Sequence, residues 1–274
     1  MRRLVLALIV AAGLLSAWYL KLTPAELWPG EGGFQVIRKF FARALTPTFH
    51  SEGGAGIFLL PQALEAARVT VVFAAAGMSL SLVFGLVLGF LASSAWWAGD
   101  PARGAGILRR TVAPVLHAAA RVLIALMRSV HELLWALLFL CAFGLSNANA
   151  VLAIAIPYGG TLAKIFSEMI DEAPRDAADA LRATGASPTQ VFAFGLLPRA
   201  LPDMAAYSFY RFECALRSSA ILGFFGLPTL GYYIKLSFDN LYYGEVWTYL
   251  YVLFLLIVAV DWWSGALRRR VVMA

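Results

Sequence analysis

Long apolar runs alternate with short polar stretches along the whole chain. A helix that crosses a bilayer needs about 20 consecutive, mostly apolar residues, within a usual range of roughly 17–25. Six segments contain such a run: residues 4–20, 66–97, 129–145, 150–167, 201–224 and 246–263. The pattern therefore predicts an all-α integral membrane protein with about six transmembrane helices, made of an N-terminal part, residues 1–65, and a core, residues 66–270.

The first apolar run has two interpretations. It follows Met1-Arg2-Arg3, and a charged start before an apolar run is also how a secretory signal peptide begins. The residues Ser-Ala-Trp-Tyr-Leu-Lys at the end of the run contain no convincing small-x-small cleavage site. We therefore favour a first helix that is retained, with a cleaved signal peptide as the alternative.

The connections between the runs differ in character. In residues 33–45 apolar positions recur at helical spacing opposite three cations, Arg38, Lys39 and Arg43, as is typical of a helix lying on the membrane surface. Residues 112–127 are apolar but interrupted by His117 and Arg121, so we expect an interfacial elbow helix there. Residues 226–245 are rich in Gly and Tyr and are expected to form a loop.

Composition and charge fit this membrane map. The 274 residues are 61% hydrophobic and only 14% charged, with a net charge of +6. On the predicted map, 13 Lys and Arg lie on the side of the termini and 5 on the opposite side. Because cytoplasmic loops of membrane proteins carry the excess of basic residues, both termini are expected in the cytoplasm. The positive charge thus reflects topology and not nucleic-acid binding.

The sequence offers little for catalysis or metal binding. Cys141 and Cys214 lie far apart in apolar segments, which favours two buried thiols over a disulfide, and three scattered histidines do not suggest a metal site. No Gly-x-x-x-x-Gly-Lys-Ser/Thr motif occurs, so we expect no ATP site in this chain. The best pair for a membrane-bound enzyme, the rival class, is His131-Glu132.

The polar stretch of residues 168–202 stands out between two apolar runs. Ala173-Pro174 is a plausible helix start, and Gly185 lies where a glycine would end that helix. Ser187-Pro188 then predicts a second helix with Ser as its N-cap, which Leu197-Pro198 and Leu201-Pro202 are expected to break. The result would be two short helices at an angle, with a solvated loop as the alternative.

The spacing in this stretch resembles the coupling loop of type I ABC importer permeases. That family has Glu-Ala-Ala, three residues, Gly, nine residues, Ile, one residue and Leu-Pro. Here Asp179-Ala180-Leu181, Gly185, Gly195 and Leu197-Pro198 occupy those positions, so Asp, Leu and Gly replace Glu, Ala and Ile. The resemblance implies that this loop docks into a groove on a separate ATPase subunit. The residues implied in docking are Asp176, Asp179, Ala180, Arg182, Gly185, Ala186 and Ser187.

Two further stretches resemble the phosphonate and phosphite branch of that family. RSVHELLWALLF, residues 128–139, is similar to Arg-Ser-Ile-Pro-Glu-Leu-Val-Trp-Ala-Leu, with His131 in place of Pro. YRFECALRSSAILGFFGLPTLG, residues 210–231, is similar to a second segment, with Leu227-Pro228-Thr229 in place of Ala-Gly-Gly. The resemblance covers about residues 66–270.

The resemblance implies an inner-membrane subunit of an importer for phosphonate, phosphite or hypophosphite. It also implies a set of partners: an ATPase dimer that binds ATP and Mg, a second permease copy or a homologue, and an extracytoplasmic substrate-binding protein. A permease of the same fold for methionine or another amino acid is the nearest alternative. A membrane-bound enzyme or a channel is the alternative from another class.

Charged residues in the fifth run are candidates for the transport path. Arg211, Glu213 and Arg217 lie well inside it, where ionisable groups are costly and usually face a bundle interior or a water-filled path. Glu213 and Arg217 are spaced to pair at i,i+4, either in the path or as a structural ion pair. Arg211 lies on another face of the helix, together with Ser218, and has no obvious helical partner.

Overall fold

The computed structural model describes residues 2–23, 28–53, 56–97 and 107–273, which divide into two compact units, Met1–Pro47 and Thr48–Ala274. The first unit holds α1 (Arg2–Tyr19) and α2 (Glu31–Ala44), whose apolar residues Phe34 and Phe41 are exposed. The helix predicted at residues 33–45 is thus confirmed, and its position on a membrane surface stays a prediction. The domain boundary predicted at residue 65 falls inside the first helix of the second unit.

The second unit is a bundle of helices. In order they are α3 (Leu59–Ala92), α4 (Ser94–Trp97), α5 (Ile107–Ser129), α6 (Glu132–Phe143), α7 (Asn147–Glu172), α8 (Asp176–Ala183), α9 (Pro188–Gln190), a π-helical segment (Val191–Leu196), α10 (Leu197–Ile221), a 3₁₀ turn (Leu222–Phe225), α11 (Leu230–Asp239) and α12 (Tyr243–Met273).

Four of the described helices, α3, α5, α7 and α12, are long and apolar enough to cross a membrane. The bent pair of α10 and α11 makes up to five crossings, and α1 is a shorter apolar helix. The all-α membrane architecture is therefore confirmed.

Helices α3 and α7 form the centre of the bundle. Glycines and alanines along both helices let the two backbones approach closely, as is usual between helices in a membrane. A Cβ atom on Gly85 of α3 would lie only 2.7 Å from Cβ of Leu162 on α7. This close pair is the frame against which α5, α6 and α10 pack.

The elbow predicted at residues 112–127 is wrong, because α5 is one helix of 23 residues in which Val112–Ser129 is apolar enough to cross. Its buried positions Ala113, Ala120 and Ile124 recur at helical spacing and make a seam that faces the bundle. The chain then breaks, and α6 has only 12 residues, about 18 Å in length. The span predicted at residues 129–145 is therefore a short helix, too short to cross alone.

The loop predicted at residues 226–245 is also wrong in part, because α11 occupies ten of its residues. The 3₁₀ turn ends at Gly226, whose φ of 99° suits glycine. Buried Thr229 then donates its hydroxyl to the Ala220 carbonyl, 3.0 Å away, and begins α11 beside the end of α10. Gly226 does mark a turn, as its position in the sequence suggests, but that turn precedes a helix.

Candidate functional site

The stretch that is expected to contact an ATPase forms a corner that begins with α8, whose ends are set by local sequence. Asp176 and Asp179 lie in its first turn and Arg182 in its last, as the helix dipole favours. Gly185 has a φ of 81° and donates its N–H to the Arg182 carbonyl, while the Ala186 N–H bonds the Leu181 carbonyl. This is a Schellman cap, and it confirms the predicted helix end. The helix begins two residues later than predicted, after Pro174.

A capping box begins the next helix. The Gln190 N–H donates to Ser187 Oγ at 3.3 Å, and the Ser187 N–H donates back to Gln190 Oε1 at 2.8 Å. The predicted N-cap is confirmed. The predicted break at Leu197-Pro198 is wrong, because the π-helical segment runs directly into α10. Pro198 lies in the first turn of α10, where its missing N–H costs little, and Pro202 is accommodated within the helix.

Most of the predicted docking residues face solvent. Asp176, Asp179, Ala180, Arg182 and Gly185 are exposed, and Ala186 and Ser187 are half-buried. Arg182 Nη1 and Asp179 Oδ1 form an exposed ion pair of 2.8 Å. Phe194 in the π-helical segment is 72% exposed, and the sequence reading missed it because it sits in an apolar run. The corner therefore presents a continuous surface for a partner.

Asp171 at the end of α7 ties this corner to the end of α3. Its carboxylate accepts hydrogen bonds from Ser93 Oγ at 2.7 Å, Ser94 Oγ at 2.5 Å, the Ser94 N–H at 3.1 Å and the Ala95 N–H at 2.9 Å. It thereby caps α4 where α3 has just ended. The polar block that leads into α8 is thus anchored to two helices of the bundle.

A polar cluster lies where α5, α6, α7 and α10 meet. Ser218 of α10 donates its hydroxyl to Glu132 Oε1 at 2.8 Å, and so the Tyr158 O–H donates to Ser218, also at 2.8 Å. The Arg211 guanidinium carbon lies 4.4 Å from the centre of the Tyr158 ring. Arg211 Nε is buried and has no hydrogen-bond partner among the described residues. The predicted residues Arg211 and Ser218 are thus brought together through Tyr158.

The break between α5 and α6 lies beside this cluster. Met127 and Arg128 pack against Gly160, near the middle of α7. His131 is the N-cap of α6, and its Nδ1 accepts the Leu133 N–H at 3.3 Å. A helix therefore starts level with the middle of α7, and broken helices line the substrate sites of many transporters. His131–Glu132, considered above as an enzymatic pair, belongs to this helix start.

The predicted Glu213–Arg217 pair is wrong. Glu213 is buried, and its carboxylate accepts the Ser264 hydroxyl at 2.6 Å and meets Arg268 Nη2 at 3.3 Å, both on α12. Helix α12 packs along α10 and brings these partners to Glu213, which a single-helix argument cannot foresee. Arg217 is exposed and has no hydrogen bond or ion pair within the described part of the chain.

One exposed face of α10 is unlike a lipid-facing surface. Three exposed side chains recur every seven residues along it, Asp203, Tyr210 and Arg217, and exposed Phe224 follows at the same interval in the 3₁₀ turn after α10. Seven residues are two helical turns, so these side chains form one stripe. A stripe with an acid, a phenol and a guanidinium is costly to leave in hydrocarbon. Together with the polar cluster, it gives α10 polar and ionisable groups on more than one face.

These features are those of a transport permease, and comparison with known proteins identifies the family. Residues 85–273 match the family described as "Binding-protein-dependent transport system inner membrane component". The chain belongs to this family. It is a permease subunit of an ABC importer of the bacterial inner membrane, which works with an ATPase and a substrate-binding protein.

Several relatives are named as phosphite, phosphate or phosphonate permeases, and another is a di/tripeptide permease, DppC of Pseudomonas aeruginosa. The chain is 29% identical to the phosphite transport system permease protein PtxC of Stutzerimonas stutzeri over 96% of this chain and 87% of PtxC. It is 32% identical to the putative phosphite permease HtxE of the same organism over 57% of this chain and 60% of HtxE. It is 26% identical to the phosphate-import permease PhnE of Mycolicibacterium smegmatis over 94% of this chain and 44% of PhnE.

Solved structures show the same fold. A chain of the MetNI methionine ABC transporter in an inward-facing conformation superposes with a TM-score of 0.63 at 19% identity, covering 81% of this chain and 99% of that one. A chain of an amino acid ABC transporter solved with histidines gives 0.63 at 18% identity, covering 77% and 94%. The type I importer permease fold is therefore confirmed.

Proposed function

We propose that this permease carries a small phosphorus oxyanion, such as phosphite, phosphonate or hypophosphite, which an extracytoplasmic binding protein delivers. The observation that carries the proposal is the similarity to PtxC over nearly the whole chain. Relatives with phosphate and phosphonate in their names support the same class of anion. The binding protein supplies the affinity, and the permease supplies a path that holds the anion only weakly.

The proposed path runs along α10. Arg217 is exposed in the single chain although it lies within a membrane helix, and a second copy or a homologous permease facing this stripe would shield it from lipid. Its guanidinium suits a phosphorus oxyanion because its N–H groups match the anion's oxygens in pairs. Arg211 and Ser218, with Glu213 held aside by α12, shape the wall of the path.

The cytoplasmic corner is the proposed ATPase contact. We expect α8 and the turn after it to insert into a groove on each ATPase, with Asp176, Asp179, Ala180, Arg182, Gly185, Ala186 and Ser187 at the contact. Their exposure and the rigid caps at both ends of the turn support this role. ATP and Mg would be held by the ATPase dimer and not by this chain.

Both termini are proposed to lie in the cytoplasm. Because α5 contains a candidate span, Arg121 and Arg128 no longer belong to a cytoplasmic loop. The proposed cytoplasmic side then carries 11 basic residues instead of 13, against 5 on the opposite side. The excess keeps its direction, and cytoplasmic loops carry the basic excess. The same orientation puts α8 on the side where ATP is available.

Growth experiments test the substrate class. A strain that lacks this chain and other phosphorus uptake systems would be supplied with phosphite, hypophosphite, methylphosphonate or phosphate as its sole phosphorus source. We expect the wild-type gene to restore growth on at least one of these compounds, and a Gly185→Val gene to restore none. Growth restored on none of them would overturn the proposal. Restored methionine uptake in a methionine auxotroph would establish the amino acid alternative.

A further inference from the structure

One very close contact holds helix α8 against the π-helical segment that leads into α10. Ala178, which is fully buried, faces Gly195 in the π-helical segment. A Cβ atom on Gly195 would lie 2.9 Å from Ala178 Cα and 3.2 Å from Ala178 N. Non-bonded carbon atoms normally keep about 3.5–4.0 Å apart. Only glycine at residue 195 therefore lets α8 sit at this distance.

The segment that carries Gly195 is firmly fixed on its other faces. Val191, Phe192 and Leu196 are buried. Phe192 makes an edge-to-face contact with Phe90 of α3, with 5.0 Å between the ring centres. π-Helical turns occur frequently at functional sites, where they re-aim the residues around them. Here the wide turn presents Gly195 to α8, while Val191, Phe192 and Leu196 stay buried in the core.

The segment continues without interruption into α10, the helix that carries Arg211 and Arg217. Helix α8 packs chiefly against this segment. Most of the contacts of α8 among the described residues thus lead to the helix that lines the proposed path.

We propose that Gly195 is a positioning residue that makes α8 and α10 move as one rigid unit. The proposal rests on the proposed role of α8 as the ATPase contact. A side chain at residue 195 would push α8 away from the π-helical segment. Movement of the ATPases would then displace α8 without displacing α10 to the same extent, so that ATP hydrolysis continues while transport falls.

Distance measurements within one chain test this rigidity. Cys141 and Cys214 are replaced by serine, and spin labels are placed at two exposed positions, Ala183→Cys on α8 and Asp203→Cys on α10. The labelled chain is diluted with unlabelled chain and assembled with its ATPase in lipid nanodiscs. We expect the same label distance in the nucleotide-free and the vanadate-trapped states. A wild-type distance that changes between the states would overturn the proposal.

Variants of residue 195 provide the second arm. In Gly195→Ala and Gly195→Val we expect a longer and broader label distance and a ratio of transport to ATP hydrolysis reduced roughly tenfold or more for Val, since small misplacements cost that much. Ala193→Val is the control because residue 193 lies in the same segment but is exposed. A wild-type ratio in Gly195→Val would also overturn the proposal.

The label distances and the residue 195 variants test this inference independently of which substrate is carried. The label distances need only the ATPase and nucleotide, so they hold whichever anion is carried. A wild-type chain that does not bind the ATPase at all would overturn the role of α8, and with it this inference, without affecting the substrate class.

Discussion

Arg217 is a cation within a membrane helix that has no hydrogen-bond or ion-pair partner among the residues the structure describes. If it guides the anion, Arg217→Ala should reduce uptake of the phosphorus oxyanion at least tenfold. Arg217→Lys should recover only part of it, because an ammonium group cannot form the paired hydrogen bonds of a guanidinium. Uptake by reconstituted complexes measures the effect. Phe224→Ala, on the same stripe without charge, is the control, and an equal loss in both variants would contradict a role for the charge.

Glu213 is predicted to stabilise the fold through α12. Glu213→Gln leaves Arg268 without its acid, and removal of one partner of a buried pair costs about 3–5 kcal/mol. Arg268 is 31% exposed, so solvent screening reduces the expected loss to about 1–2 kcal/mol. Thermal unfolding in detergent measures it.

Two control variants test whether Glu213 acts through Arg268 on α12 or through Arg217 on its own helix. Asp261→Asn should change the unfolding temperature little, because Asp261 is 64% exposed and lies 3.9 Å from Arg268. Arg217→Ala should also leave it unchanged. A large destabilisation by Arg217→Ala, with none by Glu213→Gln, would favour the pairing that the sequence spacing suggested.

The residues show what local sequence can and cannot predict. The glycine cap at Gly185 and the Ser187 cap depend on neighbours in the chain, and both were predictable. The partners of Glu213 come from a helix 51 residues away, and the Tyr158–Ser218–Glu132 chain joins three helices. Such contacts follow from packing, which spacing along one helix does not contain.

At the scale of elements, Gly185 ends helix α8 and begins the turn that follows it. Gly185→Val should abolish coupled transport, because a β-branched residue does not tolerate a φ of 81°. Gly185→Asn is the matched control, since asparagine adopts this conformation more readily. ATPase stimulation by the loaded binding protein, compared at equal membrane insertion, measures the effect. Equal activity of the two variants would show that the left-handed turn is not required.

Asp171 is predicted to hold the α3–α4 corner. Asp171→Asn replaces one acceptor oxygen by an NH₂ group, which then faces either the two donors of Ser94 or those of Ser93 and Ala95. The expected loss is about 1–3 kcal/mol of stability, the usual cost of unsatisfied polar groups. Glu172→Gln, next in the chain and exposed, is the control. Unfolding temperatures that fall equally in both variants would contradict an anchoring role.

The errors in element prediction share a cause. From the sequence, residues 112–127 were expected to form an interfacial helix because His117 and Arg121 interrupt them, and the next apolar run was expected to be a full span. In the structure, Arg121 points away from the buried seam, and the chain breaks at His131, level with the middle of α7. Helix α11 was missed because its flanking glycines resemble a loop. Long uniform runs such as α3, α7 and α12 were predictable, whereas broken helices were not.

At the scale of the whole molecule, the proposed function assigns two surfaces to the chain: a capped corner for the ATPase and a polar stripe for the path. Helix α8, the π-helical segment and α10 connect these two surfaces. A second permease would cover the stripe, and the ATPase would occupy the corner. The account therefore describes a subunit whose two functional faces are completed by other chains.

The most direct test is transport by the reconstituted complex. The chain, its ATPase and its binding protein are placed in liposomes, and ATP hydrolysis and anion uptake are measured with phosphite, hypophosphite, a phosphonate, phosphate or methionine. The account predicts that a binding protein loaded with a phosphorus oxyanion stimulates hydrolysis and that the anion accumulates. Stimulation by methionine alone, or uptake that persists without ATP, would contradict it.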